Sequence, residues 1–453
     1  MLFSSSTFLF FFLPAFLALY YLLPWKNAVL LLASLLFYAW GEPRFVPLLL
    51  ASSLLNYSVG YWLARRRSAW LLGGGIAINL AMLGYYKYLG FFTLSLNAIA
   101  GSQLPVPQIV LPLGISFFTF QGISYLIDVS RGTVGAQKSF WTFAMYKAMF
   151  PQLIAGPIVR YQQIAAELEH RDLSNERLWR GLRQFLLGLC QKVLIANTVA
   201  VAADGLFATD PAQLTAAAAW LGIICYSLLI LYDFAGYSNM AIGIGHMTGF
   251  SYPPNFDQPY SARSITEFWR RWHISLSSWF RDYLYIPLGG NRGTPWRTYF
   301  NLALVFLLCG LWHGAAWTFI VWGGWHGLLL IVERAGFGRL LARLPSAVAQ
   351  AYTLLGVMVG WVFFRASDLP YALRYLQALA GGSHADPLAH PWQMDVQAAQ
   401  WAAIVIGSAL ALWRAPPLLR HPLPQTVAGG LGLLACAASL AAGTYNPFIY
   451  FHF

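Results

Sequence analysis

Apolar runs of about the length that a helix needs to cross a bilayer follow one another along most of this chain. They are separated by short polar loops and lie at 2–24, 28–41, 45–63, 69–93, 109–128, 184–207, 214–236, 298–313, 315–332, 350–364, 397–413 and 425–442. Inside lipid every backbone N–H and C=O group needs a partner within the protein, and a helix provides these partners within one segment. The sequence therefore predicts an all-α polytopic membrane protein with about 11–12 transmembrane helices plus re-entrant segments, built as a single membrane domain over residues 1–453.

The composition supports a membrane protein and argues against other classes. Hydrophobic residues make up 58% of the 453 residues and charged residues only 10%, whereas a soluble domain carries roughly a quarter charged residues. In a soluble chain the formal net charge of +12 would suggest nucleic-acid binding. Here, basic cytoplasmic loops and the attraction of anionic phosphates explain it better. The four cysteines are scattered through apolar runs without a CxxC pair, so they predict neither a disulfide framework nor a zinc site.

The distribution of basic residues predicts the orientation in the membrane. No basic residue precedes the first apolar run and Lys26 follows it, the order expected for a retained first span with its N-terminus outside. The cytoplasmic loops then hold most basic residues, at Arg65–Arg67, Arg131, Lys138, 160–183, 255–297, Arg334–Arg343 and Arg414–Arg420, and the largest outer loop is 366–396. The segment 140–158, with Pro151 and Gly156, is ambiguous. It fits a re-entrant segment, which membrane depth permits only inside protein.

A dense polar and aromatic segment, 255–297, interrupts the apolar runs. Ser264 and Glu267 have the spacing of a capping box, which predicts that a helix begins there and ends before Pro287. Residues recur at steps of three and four on two faces, an apolar one with Phe268, Trp272, Leu276, Trp279 and Tyr283, and a polar one with Arg270, His273, Ser277 and Arg281. This pattern predicts one amphipathic helix on the cytoplasmic side of the membrane. A plain interfacial anchor remains an alternative to a functional role.

A carboxylate lies near the end of the run 214–236. Asp233 is followed one helical turn later by Tyr237, and a charged residue at membrane depth is a functional candidate by default because it is costly to bury. We regard both residues as candidates that support a reaction site. The alternative is a structural hydrogen bond from Asp233 to a Tyr, an Asn or an arginine of the basic helix.

His313 lies between two apolar runs and is flanked by Gly310 and Gly314. Glycine permits a break in the helix and close backbone approach, so the imidazole can face a cavity rather than lipid. Imidazole titrates near neutral pH and can accept a proton from a hydroxyl group, which makes His313 the candidate general base.

Other residues near His313 are interpreted as structural. His326 follows thirteen residues later, a separation that does not return to the same helix face, and both His326 and His246 are better explained as satisfied core residues. Cys309 is interpreted as a small buried residue rather than a nucleophile. No Cys/His spacing supports a zinc site, so no metal is predicted.

Several motifs together resemble those of the membrane-bound O-acyltransferase family, in the bacterial branch that O-acetylates exported polysaccharides such as alginate. The resemblance extends almost from end to end of the chain, and it is specific because the motifs occur together. They are Leu111–Gln121 with Tyr125–Asp128, Phe150–Ile158, Asp233–Asn239, Trp269–Ser277, Phe280–Tyr285, Gly310–Gly314 and Asn446–Phe453, in which His452 stands where the family often has Gln.

The resemblance implies a fold and a catalytic pair. The family fold is a core of packed helices with re-entrant segments around a funnel or tunnel. His313 would be the essential catalytic residue and His273 the second polar residue of the site. Asp233 or His273 would orient the reactants or support developing charge.

The resemblance also implies substrates and partners. The donor would be acetyl-CoA or another cytosolic acyl thioester, attracted through its phosphates by Arg270 and Arg271 with help from Arg263, Arg292 and Arg297, and no bound cofactor is expected. The acyl group would cross the bacterial inner membrane to an exported glycan, together with a periplasmic SGNH-type acetyltransferase and the polysaccharide synthesis and export machinery. Membrane lipids are expected around the protein and nucleic acid is not. Lipid- or teichoic-acid-type acyl transfer and a glycan or lipid flippase remain alternatives.

Overall fold

The computed structural model describes residues 1–383, 386, 396–413, 422–443 and 445, and within these residues the protein is built from helices without a strand. The chain divides into two compact units. The first comprises Met1–Phe185 and Ser238–Pro253, and the second comprises Leu186–Tyr237 and the described residues from Pro254 onward. The predicted basic loop Arg414–Arg420, the closing segment Asn446–Phe453 and most of 384–395 lie outside the described residues.

The first unit contains the N-terminal helices. They are α1 (Leu13–Leu22), α2 (Lys26–Gly41), α3 (Val46–Arg65), α4 (Ala69–Leu83), α5 (Leu89–Ala100), α6 (Ile115–Arg131), α7 (Phe140–Ala148), α8 (Phe150–Leu153) and α9 (Tyr161–Glu169), with π-helical turns at Phe8–Phe12 and Gly84–Tyr88 and a 3-10 turn at Pro43–Phe45. Helix α10 (Asn175–Cys190) begins in this unit, and α12 (Ala216–Met247) ends in it.

Three buried polar side chains of the first unit have hydrogen-bond partners within it. Lys147 is fully buried, and its ammonium donates to Ser52 Oγ at 2.7 Å. The side chains of Asn56 and Asn79 donate to each other at 3.1 and 3.0 Å. Residues 143–161, which include the irregular backbone between α8 and α9, are all buried. The ambiguous segment 140–158 therefore meets the condition under which non-helical backbone is tolerated at membrane depth.

The second unit contains the later helices. They are α11 (Asn197–Ala208), α13 (Ile265–Arg271), α14 (Ile274–Phe280), α15 (Pro295–His313), α16 (Trp317–Val332), α17 (Gly338–Leu341), α18 (Ser346–Arg365), α19 (Leu369–Leu379), α20 (Ala398–Leu412) and α21 (Pro422–Ala441). Turns of π-helix lie at Gln191–Ala196, Arg281–Tyr285 and Glu333–Phe337, and turns of 3-10 helix at Pro211–Gln213 and Pro259–Ser261.

The helical membrane fold predicted from the apolar runs is confirmed. Five helical segments among the described residues are long and apolar enough to span a membrane, namely 43–65, 69–100, 175–208, 216–247 and 346–365. Four shorter apolar helices lie at 8–22, 26–41, 398–412 and 426–441. Every predicted apolar run overlaps a helix, although the run 109–128 becomes helical only at Ile115. A run that must satisfy its backbone in lipid has little alternative to helix.

Helices α15 and α16 form a closely packed hairpin in the second unit. Gly310 of α15 lies against the backbone carbonyl of Phe319, and Gly323 of α16 lies against that of Phe306, leaving no room for a Cβ at either position. Small residues at such positions let membrane helices approach closely. The hairpin turn carries His313 at the end of α15.

The prediction of a single amphipathic helix from Ser264 onward is wrong. The helix does begin after Ser264, whose hydroxyl accepts from Glu267 N. It ends at Arg271, and a second helix starts only at Ile274. His273 lies at the break with φ 43° and ψ 54°, one of two non-glycine residues with positive φ among the described residues. The predicted apolar stripe is nonetheless buried, since Phe268, Trp272, Leu276, Trp279 and Tyr283 are each at most 7% exposed.

Candidate active site

His313 ends α15 inside an aromatic box. Its ring centroid lies 4.9 Å from that of Trp322 and 5.3 Å from that of Phe364, in both cases with the rings steeply inclined. The preceding Trp312 packs at 4.9 Å. Gly314 follows in extended backbone, and the side chain of Phe319 occupies the space that a Cβ would need. Both glycines flanking His313 thus allow close contact with α16.

The break at His273 is held by a neighbouring extended segment. Asp257 N donates to Arg271 O at 3.0 Å on one side of the break, and Ile274 N donates to Asn255 O at 2.9 Å on the other. The Asn255 side chain accepts from Ser275 N at 3.2 Å and from Ser275 Oγ at 2.9 Å. These bonds satisfy the first amides of α14, which have no partner within their own helix. They also hold His273 in a left-handed conformation that costs a non-glycine residue about 1–2 kcal/mol.

This break removes His273 from the exposed polar face predicted for it. Its side chain is fully buried, whereas Arg270 and Arg281 of that predicted face are exposed. The Phe234 ring packs against the imidazole in a T-shaped arrangement, with a centroid distance of 4.6 Å. Neither ring nitrogen of His273 has a hydrogen-bond partner within the described part of the chain. Burial lowers the pKa of His273 to about 3, so the ring is neutral at physiological pH.

The structure brings His273 and His313 together. Their ring centroids lie 6.3 Å apart, and Trp312 contacts both rings. A neutral imidazole carries one donor and one acceptor nitrogen. Two such rings side by side can receive a proton from a hydroxyl group at one ring and orient or stabilise a second group at the other. The pair predicted from the separate motifs thus forms one site within the second unit.

A cavity of about 510 Å³ is lined by residues next to this pair in the chain, although neither histidine itself lines it. Its wall includes Ile274, the residue after His273, and Cys309, one turn before His313 on α15. Apolar side chains form most of the lining, among them Trp269, Val305, Phe306 and Leu330, and the polar contribution comes from Thr266, Arg270, Ser277, Ser278, Arg281 and Tyr285. A cavity with an apolar wall and a few basic and hydroxyl groups suits a ligand with an apolar part and an anionic part.

The two arginines predicted to attract donor phosphates differ in their surroundings. Arg270 is exposed and lines the cavity. Arg271 instead forms an ion pair with Glu267 and donates to Ser261 Oγ at 2.8 Å. A second cavity arginine, Arg281, lies 2.6 Å from Asp282. Arg270 is therefore the member of the predicted pair that is placed to meet a ligand in this cavity.

Asp233 has an ion-pair partner that the sequence analysis did not name. Lys192 Nζ lies 2.6 Å from its carboxylate, with both side chains almost fully buried. The predicted alternatives were a Tyr, an Asn or an arginine of the basic helix. Lys192 lies well inside the predicted apolar run 184–207, so its charge at membrane depth is the signal that could have singled it out. Tyr237 is buried one turn after Asp233 on α12.

Three further features bear on the residues interpreted as structural. His326 is fully buried and accepts a hydrogen bond at Nδ1 from Trp269 Nε1 at 3.3 Å, while its Nε2 has no hydrogen-bond partner within the described residues. Cys309 is a buried free cysteine. No group of three or more His, Cys, Asp and Glu side chains that could hold a metal was found among the described residues.

A buried carboxylate that sequence analysis missed fixes the start of α13. Glu333 accepts from Ile265 N at 2.6 Å, from Thr266 N at 2.9 Å and from Thr266 Oγ1 at 2.6 Å. A carboxylate at a helix N-terminus satisfies free amides and opposes the positive end of the helix dipole. Glu333 lies next to Arg334 at the end of an apolar run and so resembles an ordinary loop residue in the sequence. It connects the end of α16 to the helix that carries Trp269 and Arg270.

Comparisons with known proteins show what this chain is similar to. A model of the membrane-bound O-acyltransferase family matches residues 130–364, more than half of the chain and the part that includes both histidines. A probable alginate O-acetylase of Azotobacter vinelandii is 48% identical over 392 residues, which cover 84% of this chain and 78% of that protein. A probable alginate O-acetylase of Pseudomonas putida is 42% identical over the full length of both chains. A peptidoglycan O-acetyltransferase of Helicobacter pylori is 38% identical, with 84% of this chain and 80% of that protein covered.

Proposed function

This chain belongs to the membrane-bound O-acyltransferase family and is a membrane enzyme of that class, and we propose that it moves acetyl groups from a cytosolic thioester across the membrane for the O-acetylation of an exported polysaccharide such as alginate. The observation that carries the proposal is the buried pair of His273 and His313, 6.3 Å apart, beside a cavity that Arg270 lines. Family membership also favours acyl transfer over the transport of an intact lipid or glycan.

The donor is acetyl-CoA or another acetyl thioester, and it enters the cavity of about 510 Å³. The basic side chains Arg270 and Arg281 suit its phosphates, while the apolar wall near Cys309 suits the acyl end of the thioester. The loop 255–297 carries further basic residues, including Arg263, Arg292 and Arg297. Positive charge around a cleft raises the local concentration of an anionic substrate.

His313 acts as the general base in the proposed reaction. It removes the proton from an acceptor hydroxyl group, the hydroxyl oxygen forms a bond to the acetyl carbonyl carbon, and the bond from that carbon to sulfur breaks. The departing thiolate then accepts that proton from His313, so atoms and charge balance. His273, neutral because of burial, donates a hydrogen bond to the oxygen on which negative charge develops, a role in which a fixed donor contributes strongly to rate.

The enzyme works in the bacterial inner membrane as one part of a larger machine. The cytoplasm supplies the thioester, and an exported polysaccharide receives the acetyl group on the other side. Transfer to the polymer then involves a periplasmic transferase of the SGNH type and the polysaccharide synthesis and export machinery. The names of the relatives that cover most of the chain support this acceptor class.

The proposal is tested by deleting the gene from its host and returning either the parent or His313→Ala. Acetyl groups on the secreted polysaccharide and on peptidoglycan are released by mild alkali and counted by mass spectrometry. We expect polysaccharide acetylation to disappear on deletion and to return only with the parent. Loss of peptidoglycan acetylation alone would transfer the assignment to the activity named for the Helicobacter pylori relative. Normal acetylation of both polymers in the deletion strain would refute the proposal.

A further inference from the structure

An ion pair joins two helical segments deep inside the second unit. Lys192 Nζ lies 2.6 Å from Asp233 Oδ1, and the two side chains are 2% and 1% exposed. Lys192 belongs to the π-helical turn Gln191–Ala196 between α10 and α11, and Asp233 belongs to α12. Turns of π-helix inside longer helices occur frequently at functional sites.

Stability is a poor explanation for these buried charges. Removing two charges from water costs about as much as their attraction returns, and apolar residues of similar volume often give an equally stable protein. Contact between the helices does not depend on the charges either. Gly236 lies so close to Gly188 that an added Cβ would approach the Gly188 carbonyl oxygen to 2.7 Å. The two segments are thus already packed backbone against backbone beside the ion pair.

The residue after Asp233 contacts the candidate active site directly. The centroids of the Phe234 ring and the His273 imidazole lie 4.6 Å apart, with an angle of 83° between the rings. Phe256 packs on Phe234 at 4.9 Å and on Trp272 at 5.0 Å. No hydrogen bond to a residue in the described ranges fixes the His273 ring. Phe234 therefore contributes to its orientation, together with Trp312, whose ring centroid lies 6.0 Å from that of His273.

We propose that the Lys192–Asp233 ion pair is a positioning element that fixes the rotation of α12, so that Phe234 holds His273 facing His313. An apolar pair would allow α12 to turn slightly about its axis, whereas a short ion pair sets both distance and direction. Misplacing a catalytic group by 1 Å can reduce a rate by about 10²-fold. The inference rests on the proposed function, which makes the two histidines the reacting pair.

The test compares one variant without charges with two that keep them. Lys192→Met combined with Asp233→Leu removes both charges at nearly constant volume, and Lys192→Arg and Asp233→Glu each preserve the pair. We expect the apolar double variant to insert and to keep a thermal midpoint close to that of the parent, yet to lose about 10²-fold in polysaccharide acetylation per folded molecule. At least one charge-preserving variant should keep most of the activity, which a merely space-filling role would not require.

Phe234→Leu tests the route through the aromatic ring. It leaves both charges in place, and we expect it to lower acetylation as the double apolar variant does. Because both changes act through the same contact with His273, combining them should lower the rate little further, whereas independent effects would multiply. Phe234→Leu also keeps the test decisive if the double apolar variant does not fold, since normal acetylation by Phe234→Leu would itself overturn the proposal.

A matched control comes from α10, the helix that precedes the π-helical turn of Lys192. Arg180 and Glu176 form an ion pair at 3.0 Å on the exposed surface of α10, and their double alanine variant should acetylate normally because exposed pairs contribute little. Full activity of a folded Lys192→Met, Asp233→Leu protein would overturn the positioning role while leaving the proposed function intact. Full activity of His313→Ala would instead overturn the proposed function itself.

Discussion

The imidazole rings of His273 and His313 lie with their centroids 6.3 Å apart, although forty residues separate them in the chain. One ring lies at a left-handed break between two short helices, and the other ends a long helix. Each is surrounded by aromatic side chains and almost fully buried. This arrangement keeps two imidazoles near each other in a dry environment, where electrostatic interactions with a reacting group are stronger than in water.

His313→Ala tests the general base. Losing a general base typically reduces a rate by about 10²–10⁴-fold, so polysaccharide acetylation in cells should disappear while the protein still inserts and remains monodisperse in detergent. His326→Ala is the matched control. It removes a buried histidine on the neighbouring helix whose Nδ1 accepts from Trp269, and we expect some loss of stability with far milder loss of acetylation per molecule. A fully active His313→Ala protein would exclude His313 as the base.

His273→Gly and His273→Ala together test the left-handed break. Both remove the imidazole and should abolish acetylation. At an ordinary helical position alanine is the more stable of the two, but glycine adopts positive φ freely. We therefore expect the glycine variant to be more stable than the alanine variant by about 1 kcal/mol. Thermal unfolding of the two purified proteins in one detergent measures the difference. Greater stability of the alanine variant would show that residue 273 is not held at positive φ.

Features that follow from local constraints were predictable from the sequence. The run predicted at 350–364 is the helix Ser346–Arg365, and the start after Ser264 was correct to the residue. In both cases the signal is local, because the burial of an apolar run in lipid and the capping of an amide depend on residues close in sequence.

Features that depend on distant partners were not predictable in this way. The periodic stripe through Trp272 continued past His273, and nothing nearby showed that Asn255 and Asp257 would stop the helix there. The ion-pair partner of Lys192 was likewise not predictable, because it lies on another helix. At these positions tertiary contacts, rather than the local sequence pattern, determine the structure. They also determine that His273 is buried rather than exposed.

The acid sensitivity of folding should report the burial of His273. Burial lowers its pKa to about 3 from an ordinary value of 6.5, so between these pH values the unfolded chain binds one more proton at this residue than the native protein. Stability is therefore lost as pH falls below 6.5, at up to about 1.4 kcal/mol per pH unit from this group. His273→Asn removes the titrating group, and we expect its thermal midpoint to fall less than that of the parent between pH 6.5 and 4.5. Equal slopes would contradict a neutral, buried His273.

Reporter fusions test the orientation in the membrane. The basic loops predict that fusions after Arg67 and after Arg297 are cytoplasmic and that one near Gly381 is periplasmic. Alkaline phosphatase is active only outside, and a green fluorescent protein fusion is bright only inside, so the two reporters should give opposite signals at each site. A periplasmic signal after Arg297 would place the segment 255–297 outside, and a cytosolic thioester would then lack access to Arg270 from that side.

Arg270→Ala and Arg271→Ala separate donor binding from local stability. Arg270 is exposed on the cavity, and its loss should raise the KM for acetyl-CoA by about three- to fivefold, the size expected for one screened charge. The thermal midpoint should be unchanged, and the KM should depend less on salt than in the parent, because electrostatic reach is only about 8 Å at physiological ionic strength. Arg271 is committed to Glu267 and Ser261, so Arg271→Ala should lower the thermal midpoint and leave the KM nearly unchanged. If the segment 255–297 were only an interfacial anchor, both variants would lower protein yield with normal turnover per folded molecule.

A higher KM for Arg271→Ala than for Arg270→Ala would contradict the assignment of the donor to this cavity.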